Sequence, residues 1–256
     1  MINYFDLTGR VAVVTGASTG LGLQMAKAFA SQGAKLVLLA RRANLLEQSA
    51  ASIAAEYGVE VHPVVCDITV TEQVKAAVES TMKRFGRVDI LVNNAGTGAI
   101  GDAENITDEQ FMHELNVDLF GTFICAREFG KEMIKANYGR IINIASIYGL
   151  VGNMIAGSAP YHAAKGGVVN LTHALAGEWG KHGITVNSIC PGYFYTELTT
   201  ATLDTDYFQD MAKRSIPLGR YGREGELNTC ALFLASPNSS YVNGQCIAVD
   251  GGYTAM

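Results

Sequence analysis

The feature that most constrains this chain is a regular alternation. Short apolar runs recur at 10–15, 35–40, 60–66, 88–93, 140–145, 184–189 and 246–249. Between them lie longer stretches of helical pattern near 20–32, 44–57, 71–85, 108–136, 160–180 and 224–235. Several runs, such as RVAVVT and KLVLLA, have no polar face. A strand that is apolar on both sides is covered on both sides, as in a parallel sheet between helix layers. Repeated β-α-β steps take right-handed crossovers, so the pattern predicts an α/β fold with a doubly wound sheet. Gly33 and Gly58 follow two of the helical stretches, where a helix C-terminus favours glycine. No linker or composition break divides the chain, so residues 1–256 read as one domain. The polar segment near 194–215 fits the pattern least well and has the place of a substrate lid.

Composition removes several classes. Apolar residues make up 48% and charged residues 17%, the reverse of a disordered chain. The net charge is −5 and no basic block stands out, which argues against a nucleic-acid footprint. Five cysteines, an odd number without a C-x-x-C, read as free thiols in a reducing compartment, the cytoplasm. None of the five histidines forms H-E-x-x-H, so no metal is expected. Residues 1–10 lack a basic stretch followed by an apolar run, so no signal peptide is expected. The Asn-x-Ser/Thr triplets at Asn105, Asn170 and Asn238 then lack a secretory context. Residues 141–164 carry no charge, but Asn143, Gly149, Gly152, Asn153, Gly157, Pro160 and His162 interrupt them. A buried strand and an irregular loop fit that stretch better than a membrane span.

The first apolar run leads into Thr15-Gly16-Ala17-Ser18-Thr19-Gly20-Leu21-Gly22, and a helical pattern follows. Glycines here let the backbone approach a pyrophosphate, and the helix start offers N–H groups and a favourable dipole. The spacing is G-x-x-x-G-x-G rather than the general G-x-G-x-x-G.

TGASTGLG resembles the cofactor turn of the short-chain dehydrogenase/reductase family. Asn93-Asn94-Ala95-Gly96, Tyr161-x-x-x-Lys165, Pro191-Gly192 and Val249-Asp250-Gly251-Gly252 resemble further motifs of that family, in order and over essentially the whole chain. The texture is most similar to its gluconate 5-dehydrogenase-like branch. The resemblance implies a single Rossmann-type domain with a mainly parallel, seven-stranded sheet, and a homotetramer. The expected partner is a small alcohol or ketone, with no nucleic acid and no membrane.

Tyr161 and Lys165 are four apart and share one helix face. A free tyrosine has a pKa near ~10. A neighbouring ammonium favours the phenolate, which can take a proton from an alcohol or return it to an alkoxide. Ser146 stands at the end of the fifth strand, and the resemblance gives it a hydrogen bond to the reacting oxygen. It lies 15 residues before Tyr161, a couple more than is usual in the family. Ser158 is the competitor, but it sits too near Tyr161. By the same resemblance Asn116, in Leu115-Asn116-Val117, holds a water that links Lys165 to solvent.

The resemblance also implies cofactor contacts at Gly16, Ser18, Thr19, Gly20, Leu21 and Gly22 of the turn. Asp67 and Ile68 would hold the adenine, and Asn94, Ala95 and Gly96 would pack along the ribose. Tyr161, Lys165, Pro191, Gly192 and Thr196 would reach the nicotinamide half. The second strand ends in Ala40, followed by Arg41 and Arg42. A carboxylate there would repel a 2′-phosphate, whereas guanidinium groups suit it, so NADP(H) is expected over NAD(H).

The catalytic residues set the reaction, not the substrate. Thr97-Gly98-Ala99-Ile100-Gly101 offers no cation for a sugar acid. Tyr148, Leu150, Val151, Met154 and Ile155, with Tyr193, Phe194, Tyr195 and Leu198, predict an apolar pocket for a ketone or hydroxysteroid. A gluconate-type sugar-acid or polyol oxidoreductase is the alternative, with Lys213 and Arg214 as possible anion contacts. A 3-oxoacyl reductase and a non-catalytic cofactor-binding protein are the further readings. The last would be expected to lack one of Asn116, Ser146, Tyr161 and Lys165.

Overall fold

Seven parallel strands form one sheet in the order β3-β2-β1-β4-β5-β6-β7. They are β1 Val11–Thr15, β2 Lys35–Ala40, β3 Val61–Val65, β4 Ile90–Asn93, β5 Gly139–Ile144, β6 Ile184–Pro191 and β7 Cys246–Val249. The computed structural model describes residues 3–98, 101–152, 157–196 and 199–256. Each of the seven apolar runs is a strand, with ends shifted by at most two residues. β1, β4, β5 and β6 are buried throughout, as their lack of a polar face requires.

The helices cover both faces. α1 (Gly20–Ser31), α2 (Ala43–Tyr57) and α9 (Asn228–Ala235) bury Met25, Phe29, Leu46, Ile53 and Leu234 against one face. α3 (Thr71–Phe85), α5 (Gly121–Ala136) and α6 (Ala159–Trp179) bury Val74, Ile124, Phe129 and Leu175 against the other. Among the described residues, no helix is long and apolar enough to cross a membrane.

Three differences from the sequence expectation matter. The helix expected over 108–136 is broken: α4 (Asp108–Glu114) and α5 are joined by a π turn, Leu115–Phe120. π turns widen the helix by one residue and often mark functional sites. The last long helix starts at Asn228 rather than near 224. The segment 194–215 contains α7 (Thr200–Leu203) and α8 (Asp206–Ser215). These close on a small apolar cluster of Leu203, Met211, Ala212, Ile216 and Tyr221. The cluster gives the segment packing of its own, which its polar composition hid.

β4, β5 and α6 are pinned together by buried amides. Asn93 Nδ2 donates to Asn143 Oδ1 at 2.9 Å, and Asn143 Nδ2 donates to Thr172 Oγ1 at 3.0 Å. This fixes α6, and with it Tyr161 and Lys165, against the strand ends. In the strand order, neighbours switch direction between β1 and β4, and ligands of open α/β sheets bind at the carboxyl ends beside such a switch.

Candidate functional site

The glycine turn lies between β1 and α1. Gly16 and Gly20 have φ of +64° and +59°, a region that favours glycine. A Cβ on Gly22 would sit 2.5 Å from the Gly16 carbonyl oxygen, so only hydrogen fits there. Asn94 ties the β4 end to this turn: its Nδ2 donates to the Thr15 carbonyl at 3.0 Å. The N–H groups of Asn94 and Ala95 both donate to Thr15 Oγ1 at 2.9 Å. Bare backbone therefore faces the mouth where α1 begins, and no side chain caps that helix start.

Arg42 stands at the start of α2, which is likewise uncapped by a side chain. Its guanidinium donates to Thr19 Oγ1 at 3.0 Å and Ser18 Oγ at 3.3 Å. The positive group thus leans over the glycine turn. Arg41 is exposed beside it. Against burial, hydrogen bonds from Thr69 hold Asp67 below the usual carboxylate range, and the Arg41 charge adds to them. Asp67 Oδ1 accepts from the Thr69 N–H and hydroxyl, at 2.9 and 2.7 Å. Ile68 is buried, with its side chain packed on Gly121. The cradle fits a dinucleotide: close backbone, two open helix starts and guanidinium groups at the expected ribose end.

From the turn, a pocket of about 310 Å³ runs along the strand ends. Leu21, Asn94, Gly96, Ser146, Tyr161, Lys165, Pro191, Gly192 and Thr196 all line it. Lys165 is the only cation in that wall, among the described residues. Ser146 is buried, and its Oγ accepts from the Tyr148 N–H at 3.1 Å. Lys165 Nζ donates to the Ile144 carbonyl at 3.1 Å and lies 5.5 Å from the Tyr161 ring centre. Thr196 is held by Thr199, whose hydroxyl accepts from its N–H at 2.9 Å.

The outer wall is aromatic. The Tyr148 ring stacks on His162 at 4.6 Å and meets Tyr161 and Tyr193 edge-on at 6.3 Å each. The hydroxyls of Tyr148 and Tyr193 are hydrogen-bonded to each other. Burial pushes the Tyr148 phenol up to about 12 and raises Tyr193 further, so both are neutral phenols near neutral pH.

Ser158, the competitor to Ser146, is the first residue before α6; its Oγ lies 3.2 Å from His162 Nδ1, and it does not line the pocket. Asn116 lines an apolar hollow with Met112, Leu115, Leu119, Phe120, Phe123 and Leu171. The π turn also presents Asp118 to the site: Lys165 Nζ lies 3.0 Å from Asp118 Oδ2, and both side chains are buried. Asp118 Oδ1 accepts from the Thr97 N–H at 2.7 Å. The Thr97 hydroxyl donates to the buried Glu114 at 2.8 Å. The signal for Asp118 was available, because it is an acid flanked by Val117, Leu119 and Phe120. Lys213 pairs with Asp210, and neither it nor Arg214 lines the pocket. Ala99, Ile100, Met154, Ile155 and Leu198 lie outside the described residues.

Residues 16–254 match a family model described as enoyl-(acyl carrier protein) reductase. Galactitol 2-dehydrogenase (L-tagatose-forming) of Cereibacter sphaeroides is 38% identical, over 98% of this chain and 97% of its own. Gluconate 5-dehydrogenase of Gluconobacter oxydans is also 38% identical, over 98% and 96%. A crystal structure of a gluconate 5-dehydrogenase from Burkholderia cenocepacia, in complex with NADP and tartrate, superposes with a TM-score of 0.94. It is 37% identical and covers 99% of this chain and 98% of its own. With the sheet order, the glycine cradle and the Tyr161/Lys165 pocket, these matches place the chain in the short-chain dehydrogenase/reductase family, NAD(P)-dependent oxidoreductases that act on CH–OH groups.

Proposed function

We propose that the protein interconverts an uncharged secondary alcohol and its ketone, with NADP(H) as cofactor. The observation that carries the substrate reading is the pocket wall. Its one cation among the described residues is Lys165, and Asp118 already pairs with it. A carboxylate substrate would find no free counter-charge there. Leu21, Ile147, Phe194 and Leu203 supply apolar surface that suits a substrate of low polarity. A second reading, a neutral polyol, is favoured by the hydroxyls of Ser146, Tyr148, Tyr193, Thr196 and Thr199 in the same wall. The galactitol dehydrogenase relative points the same way. Guanidinium groups at the start of α2 support NADP(H), and the related structure in complex with NADP agrees.

When bound, the nicotinamide supplies or takes up the hydride. The chain's own groups handle the proton. Tyr161 moves it to or from the substrate oxygen, and the Lys165 ammonium favours the phenolate during that transfer. Ser146 uses its oxygen to accept from Tyr148, which leaves its hydroxyl hydrogen for the substrate oxygen. Lys165 also holds the ribose, while Gly16–Gly22, Asn94–Gly96 and Pro191–Thr196 carry the rest of the cofactor. The catalytic unit is one domain over 1–256, with 194–215 as lid, working as a homotetramer in the cytoplasm.

The test is a panel of ketones, neutral ketoses and 5-ketogluconate with NADPH and NADH, run with Tyr161→Phe as control. Neutral ketones or ketoses should exceed the sugar acid in kcat/KM. Tyr161→Phe removes only the hydroxyl and should lose at least about a hundredfold in turnover. A sugar acid well above the neutral compounds defeats the substrate reading. Parent-like turnover of Tyr161→Phe defeats the mechanism.

A further inference from the structure

We infer that Asp118 is a positioning residue for this reaction: its buried carboxylate is the counter-ion that keeps Lys165 an ammonium and aims it at the pocket. The inference rests on the reading of Tyr161 and Lys165 given above. A buried ammonium with no partner sheds its proton rather than bear the loss of hydration. Lys165 is buried, and Nζ has one carboxylate at 3.0 Å. Burial alone would lower its pKa. Asp118, with Tyr161 and Glu114 behind it, outweighs that, and the result lies above the ordinary lysine value.

The carboxylate is itself held in place. The Thr97 N–H donates to Oδ1 at 2.7 Å, which leaves Oδ2 for the ammonium. A Cβ on Gly96 would come within 3.1 Å of either carboxylate oxygen, so the small residue there gives Asp118 its space. The π turn buries Asp118 and Val117 and leaves Phe120 half exposed. The titratable groups facing Lys165 are Asp118 from the π turn, Glu114 from the end of α4, Tyr161 from its own helix and Cys190 from β6. Glu114 is bonded to the Thr97 hydroxyl at 2.8 Å. Asp118 is the group in direct contact, so its charge decides whether Lys165 stays protonated as pH rises.

The sign is fixed. A lysine whose value is raised keeps its charge through neutral and mildly alkaline pH. Without Asp118 the burial effect is left weakly opposed, and the charge is lost at lower pH. Asp118→Asn keeps the shape and the acceptor for Thr97, and removes only the charge. The assay is oxidation of the best secondary alcohol of the panel with NADP⁺, followed against pH. NADPH affinity is measured by fluorescence titration over the same range.

The parent should rise with pH to a plateau. Asp118→Asn should rise and then fall, by about tenfold per pH unit beyond its new midpoint, the slope of one titrating proton. NADPH binding by the variant should weaken over the same interval. If Asp118→Asn folds poorly, Asp118→Ser fits the same space and should give the same falling limb. Parent and variant profiles that run parallel, with a uniform loss at every pH, would overturn the inference and leave Asp118 a merely structural residue. A crippled Tyr161→Phe together with parallel Asp118 profiles rejects this inference alone. An active Tyr161→Phe rejects the mechanism beneath it.

Discussion

At the scale of single residues, cofactor choice turns on Arg42 and its neighbour. Arg42 leans on Ser18 and Thr19, and Arg41 stands exposed beside it. A 2′-phosphate at the start of α2 would meet both. Losing one charge-assisted bond costs about 1.5–3 kcal/mol, roughly tenfold to a hundredfold in affinity. Arg42→Ala and Arg41→Ala should each weaken NADPH by that range and leave NADH nearly unchanged. Equal losses for the two cofactors in a binding titration would reject the role. Single residues are also where the sequence was partly silent. The meeting of Tyr161, Lys165 and Ser146 in one pocket was legible, because a four-residue helical spacing and a strand end can be read from order alone. The contact of Asp118 with Lys165 was not, because a one-residue widening of a helix leaves no mark in residue spacing. The π turn moves the inward face, so Asp118 meets Lys165 and Asn116 lines an outer hollow.

At the scale of elements, strands were the most legible part. Each is an apolar run between helical stretches, and burial on both sides makes such runs uniform. The segment 194–215 was legible only as an exception. Its base is held by contacts between distant residues, which no local pattern reports. The Gly222 N–H donates to the Tyr193 carbonyl at 2.9 Å, and the Tyr195 N–H donates to the Gly222 carbonyl at 3.1 Å. Arg220 and Glu226 close this turn with two parallel bonds of 2.7 and 2.8 Å. The Arg220 guanidinium and the Arg223 N–H hold Glu226 at about 2, below its ordinary value of 4.5. A lowered carboxylate stabilises the fold above its unfolded value and stops doing so as pH falls to its folded value. The brace should therefore be present above about 4.5 and lost between about 4.5 and 2. Proteolysis within 199–215 should speed up across that interval in the parent. Glu226→Gln should cut that segment faster at neutral pH and show less change on acidification. Cleavage that ignores both the substitution and the acid would mean that the brace does not hold this segment.

At the scale of the molecule, both faces of the sheet are covered, yet one outer surface stays apolar. Met112, Leu115, Leu119, Phe120, Phe123 and Leu171, from α4, the π turn, α5 and α6, surround a hollow of about 470 Å³. Met112 is 59% exposed and Phe120 46%, while the Phe120 and Phe123 rings stack at 6.5 Å. Aromatic surface of this size is costly to leave in water, and a contiguous patch on a soluble domain usually has a partner. The expected partner is a second copy of this chain. A two-fold interface brings the same patch from each subunit together, so one apolar face completes the other without any change elsewhere. Asn116, which lines the hollow, would then lie within the subunit contact. Phe120→Asp would place a charge in that contact, and burying an unpaired carboxylate is strongly unfavourable. Light scattering should give the parent a mass of several chains, and Phe120→Asp a smaller one with its sheet intact by circular dichroism. The hollow shares no lining residue with the site pocket, so NADPH binding should survive the split. A parent that runs at the mass of one chain would show that the apolar face is covered in some other way.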